Sequence, residues 1–167
     1  NRDHNHGRIY RITYPSRPLV KPADVDGASI SVLLDNLKLP EYRTRYRSRR
    51  ELREHAASEV LPAITTWVAG LDKADPDYDH HVLEGLWTSW GVNRVDAALL
   101  QHCLASKDPK VRSAAVNVLH YNMHVPGAQE MLLAAAADTH GRVRLEAVSA
   151  ASWIGKEKGV PVLDVIE

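Results

Sequence analysis

Cysteine is nearly missing from this chain. Cys103 is the only one among 167 residues, which excludes an internal disulfide, a thiolate zinc cluster and a Cys-x-x-Cys-His haem attachment within the sequence. An excess of either charge is missing too. Lysine plus arginine and aspartate plus glutamate each number 21, for a formal net charge of zero. With no global field to steer the chain onto a polyanion, neither a nucleic acid nor an anionic membrane is expected as a partner. Long apolar runs are absent as well. Stretches such as Met131 to Ala137 fall far short of the ~20 residues a membrane span requires, and no basic start followed by an apolar block marks a signal peptide. Asn1 is not an initiator methionine, so the chain is expected to be a piece of a longer protein. Finally, there is no serine-nucleophile motif, Gly-rich phosphate loop, His-Glu-x-x-His or supported carboxylate pair, and catalysis by these residues alone is not expected.

What is present is the composition of an ordinary folded domain, 44% hydrophobic and 25% charged. The opening, Gly7 to Tyr14, is rich in β-branched and aromatic residues and is closed by Pro15, which predicts a short β-strand. Nothing later reads as its partner, so the strand is expected to belong to a sheet outside these residues. Residues 15 to 27, with three prolines and Gly27, read as an extended linker. From Ala28 the period becomes helical. Ile30, Leu33, Leu34 and Leu37 stand at i, i+3, i+4 and i+7, and the helix should stop near Pro40. Glu41 to His55, uninterrupted by Gly or Pro, predicts a helix with a basic face.

A repeat organises the remainder. Displacing Asp96–Ala115 by 32 residues sets Leu100 on Leu132, Cys103 on Ala135, Val111 on Val143 and Arg112 on Arg144; displacing it backward by 33 sets Leu104 on Leu71 and Asp108-Pro109 on Asp75-Pro76. Three helix-turn-helix units follow, about 60–91, 95–123 and 127–155. Asp96 and Asp108 are placed to cap helices, and Pro109 suits a first helical turn, where its missing N–H is of no consequence. Gly91 and Gly155 are expected at left-handed helix ends. Val160 to Glu167 reads as the first helix of a further, incomplete unit, whose apolar end face could support a weak dimer.

The segments Asp108-Pro109-Lys110-Val111-Arg112 and Arg142-Val143-Arg144-Leu145-Glu146-Ala147 resemble the second-helix signature of HEAT repeats, although the units are shorter than the about 40 residues usual there. The resemblance implies an all-α, HEAT-like solenoid of about three helix pairs with flanking helices, preceded by the strand and linker. It also implies that Arg112 and Arg144 are structural, each reaching an aspartate of a neighbouring unit. A second resemblance rests on Asp3 to Ile12, Tyr42 to Arg47 and His80 to Trp87. Together these are similar to the middle of the large predicted membrane-bound dehydrogenases of planctomycetes and verrucomicrobia, in which a sugar-dehydrogenase-like β-propeller is joined to helical repeats and a c-type cytochrome domain. It implies that residues 1–27 are a terminal propeller strand and linker, that 28–167 are the repeat domain, and that the parent protein is exported or periplasmic. It also implies that haem c belongs to the parent beyond these residues, which carry no cofactor, metal or catalytic residue of their own. Partners would be the parent's other domains or another protein.

Four groups of residues invite a site. Arg43, Arg45, Arg49, Arg50 and Arg53 could hold an acidic partner, a phosphate backbone or an acidic polysaccharide; the plainer reading is a solvated face paired with Glu51, Glu54, Glu59 and the acidic 72–79 stretch. Asp3, His4 and His6 have spacing that could ligate zinc or copper, yet no third ligand is evident. His80 and His81 should donate to nearby carboxylates rather than share a metal, since adjacent side chains diverge. Of the four tryptophans, Trp87 is in core register, whereas Trp90 could face outward as a stacking surface.

Overall fold

In the computed structural model, which describes residues 5–7 and 9–164, the helical period begins at a capped turn. The Ser29 hydroxyl accepts from the Val32 N–H and opens α1 (Ile30–Asn36). The chain turns at Pro40 into α2 (Tyr42–Leu52), then forms α3 (Ala57–Ala69) and α4 (Tyr78–Gly91). Two more caps act as the sequence predicts. Asp96 accepts from the Ala98 and Leu99 N–H groups to start α5 (Ala97–Leu104). Asp108 accepts from Lys110 N–H to start α6 (Pro109–Tyr121), with Pro109 in the first turn. Gly127, at φ 76°, opens α7 (Ala128–Ala136), and the His140 ring accepts from Arg142 N–H ahead of α8 (Gly141–Ala151). The last helix described is α9 (Lys156–Leu163).

The helices stack as an all-α, HEAT-like solenoid. No pair is large enough to bury its own apolar stripe, so each second helix packs on the next: α2 on α4, α4 on α6, α6 on α8. Two buried clusters result. One, of Leu33, Leu34, Leu37, Leu52, Val60 and Ile64, unites α1 to α3; the other runs from Leu71 to Val162. Trp67, Val68 and Leu99 pack against both, so the core is continuous. Trp67 has a specific task there. Its Nε1–H donates to Asp35 at 3.2 Å while Lys38 lies over the ring, which ties α3 to α1.

The expected strand does not form. Among the described residues there is no strand, and Ile9, Tyr10, Ile12 and Tyr14 are exposed, Ile12 at 98%; Arg8 lies outside the described residues. The cause is the missing partner, because extended backbone without a neighbour has no ladder to join. Ordered packing starts later, where Asn36 donates to the Asp24 carbonyl and Gly27 N–H to Glu51.

The glycines also behave differently from expectation. Gly91 is the last residue of α4 and the left-handed position falls to Asn93, at φ 59°; asparagine tolerates this conformation because its side chain can bond locally. A side chain at Gly91 would instead meet Arg53, whose Nε lies 3.0 Å from a Cβ built there. Gly155, at φ 85° and ψ 155°, precedes α9 rather than closing α8.

Candidate functional site

The polar joints between units come first, because they decide which arginines are available. Arg112 forms a bidentate pair with Asp138, Nε to Oδ2 at 2.7 Å and Nη2 to Oδ1 at 2.9 Å, and donates from Nη1 to the Ser106 and Lys107 carbonyls. The guanidinium thus closes its own turn and fixes the next one, as the HEAT resemblance implies. The Arg112 hydrogen bonds hold the Asp138 carboxyl below the usual carboxylate range against the opposing effect of burial, with help from the His140 N–H. Arg144 repeats half of this arrangement, donating to the Asp138 and Thr139 carbonyls. It meets no carboxylate among the described residues, which corrects the expectation of a cross-unit pair there.

Arg45 is a third arginine of the same kind, which the repeat alignment missed. Its Nη1 donates to Leu39 and Pro40 carbonyls, six and five residues back, and its Nε reaches Glu84 at 3.1 Å. Glu84 is fully buried and is also paired with Arg49, while His80 Nε2 stands 3.5 Å from it. Arg49 lies over the Trp87 ring at 5.2 Å. Burial alone would raise the Glu84 pKa; the His80 hydrogen bond and the Arg49 charge and hydrogen bond outweigh it and hold the carboxylate ionised below its ordinary range. Arg45 and Arg49 therefore staple α2 to α4 and are not an exposed binding face. The adjacent His81 faces Asp75 at 3.9 Å, and burial lowers its pKa. Both histidines thus meet carboxylates, and they diverge as expected. Asp3 and His4 of the proposed amino-terminal ligand set lie outside the described residues. Among the described residues, no group of three or more His, Cys, Asp or Glu side chains is placed to hold a metal ion.

The other arginines of α2, and Arg53 that caps it, are not locked into ion pairs, although Arg47 and Arg50 share an open cleft with Asp26, Glu51 and Glu54. Arg43, Arg47, Arg50 and Arg53 are exposed and form no ion pair among the described residues. Among the described residues none of them forms an ion pair with Glu51, Glu54, Glu59 or the 72–79 stretch: Glu51 accepts from Gly27, while Asp75 and Asp79 serve His81, His102 and Ser106. The helix macrodipole rationalises this sorting. Acidic and capping groups gather near the amino ends of α4, α6 and α8, and Arg49 and Arg50 occupy the last turn of α2, where carbonyls point outward.

Rings continue the surface beyond those arginines. An open cleft of about 330 Å³ is lined by Tyr42, Tyr46, Arg49, Arg50, Arg53, Trp87 and Trp90. Trp90 stacks on Tyr121 at 5.8 Å between ring centroids, Tyr121 on His120 at 4.5 Å, and His120 lies 6.5 Å from Trp153. These last three line a second cleft of about 670 Å³ with Met123, Ile154 and Lys158. Neither lining contains an aspartate or glutamate. A neutral chain thus presents one continuous aromatic surface across its second helices, basic at the α2 end.

Residues 96–165 match the family model for HEAT repeats. The match begins at the α5 cap and runs through α9, so this segment is HEAT-repeat in character. Comparisons with curated proteins and with solved structures return no match. Among the described residues, no helix is long and apolar enough to cross a membrane.

Proposed function

We propose that this chain is a non-catalytic helical-repeat scaffold that docks other domains, or a protein partner, along the face of its second helices. The observation that carries the reading is the cleft in which Arg50 and Arg53, exposed and without an ion pair among the described residues, stand beside the rings of Tyr46 and Trp90, with Tyr121 stacked on Trp90. Tryptophan, tyrosine and arginine are the side chains that dominate binding energy at protein interfaces. Stacked units present such a surface at fixed spacing, which is the mechanical contribution of a solenoid.

The finer reading places this scaffold in a haem-containing sugar or alcohol dehydrogenase that is exported or periplasmic, with residues 1–27 as the terminal propeller strand and linker and 28–167 as the repeat domain. Two observations support it. The exposed apolar side chains of residues 9–14 suit addition to a neighbouring sheet. The two segments of the resemblance, Tyr42 to Arg47 and His80 to Trp87, meet through Arg45 and Glu84. The residues present do not fit a c-type haem, since Cys103 is buried and lacks a second cysteine; the haem would sit on another part of the parent. Expression of the gene to its natural ends tests this. A haem spectrum reduced on addition of a sugar or alcohol is the expected result, and a colourless, inactive protein would refute it. That outcome favours the second reading, a free-standing adaptor for an acidic partner, which the unpaired arginines support. Half-exposed Val160 and Leu163 on α9 suit weak self-association; sedimentation at two concentrations checks it.

A further inference from the structure

The geometry points to one occupant for the second-helix surface: an extended peptide segment of a protein partner, acidic at one end and apolar or aromatic at the other. This rests on the docking reading above and names what docks. Arg50 and Arg53 stand at the α2 end beside Tyr46 and Trp90 in a cleft whose lining has no carboxylate, and neither forms an ion pair among the described residues, although Asp26, Glu51 and Glu54 share a separate cleft with Arg50. Toward α8 the lining turns apolar and aromatic, with Tyr121, Met123, Trp153 and Ile154, and Lys158 is its one fixed cation. A uniformly charged polymer such as a single-stranded nucleic acid would match only half of this surface, because continuous stacking platforms for such strands run along a continuous basic groove. A peptide can change character along its length. Its carboxylates would meet the planar guanidinium forks, and its apolar residues would cover Trp153, which is 78% exposed. With neighbouring helix axes about 8–10 Å apart, three steps from α2 to α8 span roughly 24–30 Å, the reach of about eight extended residues.

The test is selection of a displayed random octapeptide library on the immobilised full chain, followed by anisotropy of the labelled selected peptides. Enrichment of peptides with aspartate or glutamate at one end and aromatic or apolar residues at the other is expected. Arg50→Glu with Arg53→Glu, and separately Trp153→Ala, should each weaken them about tenfold or more. These side chains are exposed, and an unchanged helical circular dichroism spectrum verifies that the variants fold. Selected peptides that lack acids, or that bind the variants as tightly as the parent, overturn the proposal. So does displacement by octaglutamate or a uridine octamer at equal or lower concentration, which would assign the surface to polyanions. If the variants still dock the neighbouring domains of the full-length protein while no peptide is enriched, the groove assignment fails and the scaffold reading stands.

Discussion

Removing the carboxylate of Glu84 should be among the most damaging changes to this chain that leave its apolar core untouched. In Glu84→Ala the guanidinium groups of Arg45 and Arg49 would remain, with side chains only 16% and 12% exposed, around a site whose carboxylate is 0% exposed. Breaking a buried pair in this way costs about 3–5 kcal/mol, because the remaining charge keeps its desolvation penalty and loses its compensation. For a chain of this size each kcal/mol lowers the melting temperature by about 2–4 °C, so a fall of roughly 6–20 °C is expected. Glu84→Gln retains volume and one acceptor oxygen and should fall between parent and alanine. The decisive variant replaces the whole cluster with apolar groups, Glu84→Leu with Arg45→Met and Arg49→Met. If desolvation is the cause, this triple variant recovers most of the loss, short of about 1 kcal/mol for the Leu39 and Pro40 carbonyls that Arg45 no longer satisfies. Urea unfolding followed by circular dichroism at pH 7 measures all three. A Glu84→Ala loss below about 1 kcal/mol, or a triple variant no more stable than Glu84→Ala, refutes the reasoning.

Further expectations concern helix packing, thiol chemistry and pH. A Cβ at Gly159 would collide with the backbone carbonyl of Ala151, which no side-chain rotation relieves; Gly159→Ala should cost about 1–3 kcal/mol and loosen α9, read as faster amide exchange confined to residues 156–163. Cys103 is fully buried and its thiol is pushed up to about 12, first by burial and then by Asp79, so it should resist a disulfide reagent in the native state and react at once in 6 M guanidinium (roughly full denaturing strength); rapid native labelling would contradict the packing. Burial lowers the His81 pKa, so the folded state prefers the neutral ring; its contribution is complete above the unfolded value of about 6.5 and declines as pH falls through that value. Glu84 and Asp138 have lowered pKa values, and their stabilisation, complete above about 4.3, is lost on further acidification. Urea midpoints at pH 8, 5 and 3 should therefore fall in two stages, and His81→Gln should flatten the first; a single transition unaffected by that substitution would refute the assignment.

Local information settled much of this molecule in advance. The i, i+3, i+4 spacing, the Asp96 and Asp108 caps with Pro109, and the 32- and 33-residue repeat each depend on neighbours along the chain, so the helix pairs could be anticipated from residue order, while the HEAT resemblance implied an aspartate partner for Arg112 that packing identifies as Asp138. The strand at residues 9–14 failed because β-structure needs a partner that propensity cannot supply. The candidate site was legible only as an ingredient. Six arginines between Arg43 and Arg53 look equivalent in a row of letters, yet stacking α2 on α4 turns Arg45 and Arg49 inward onto Glu84 and leaves the others facing water. Net charge was silent on this for the same reason: it sums over the chain and does not say which arginines packing buries against a carboxylate. The sequence by itself determined helices, caps and repeat. Only the tertiary structure decided which charges are neutralised and which rings join, because both depend on contacts between residues dozens of positions apart.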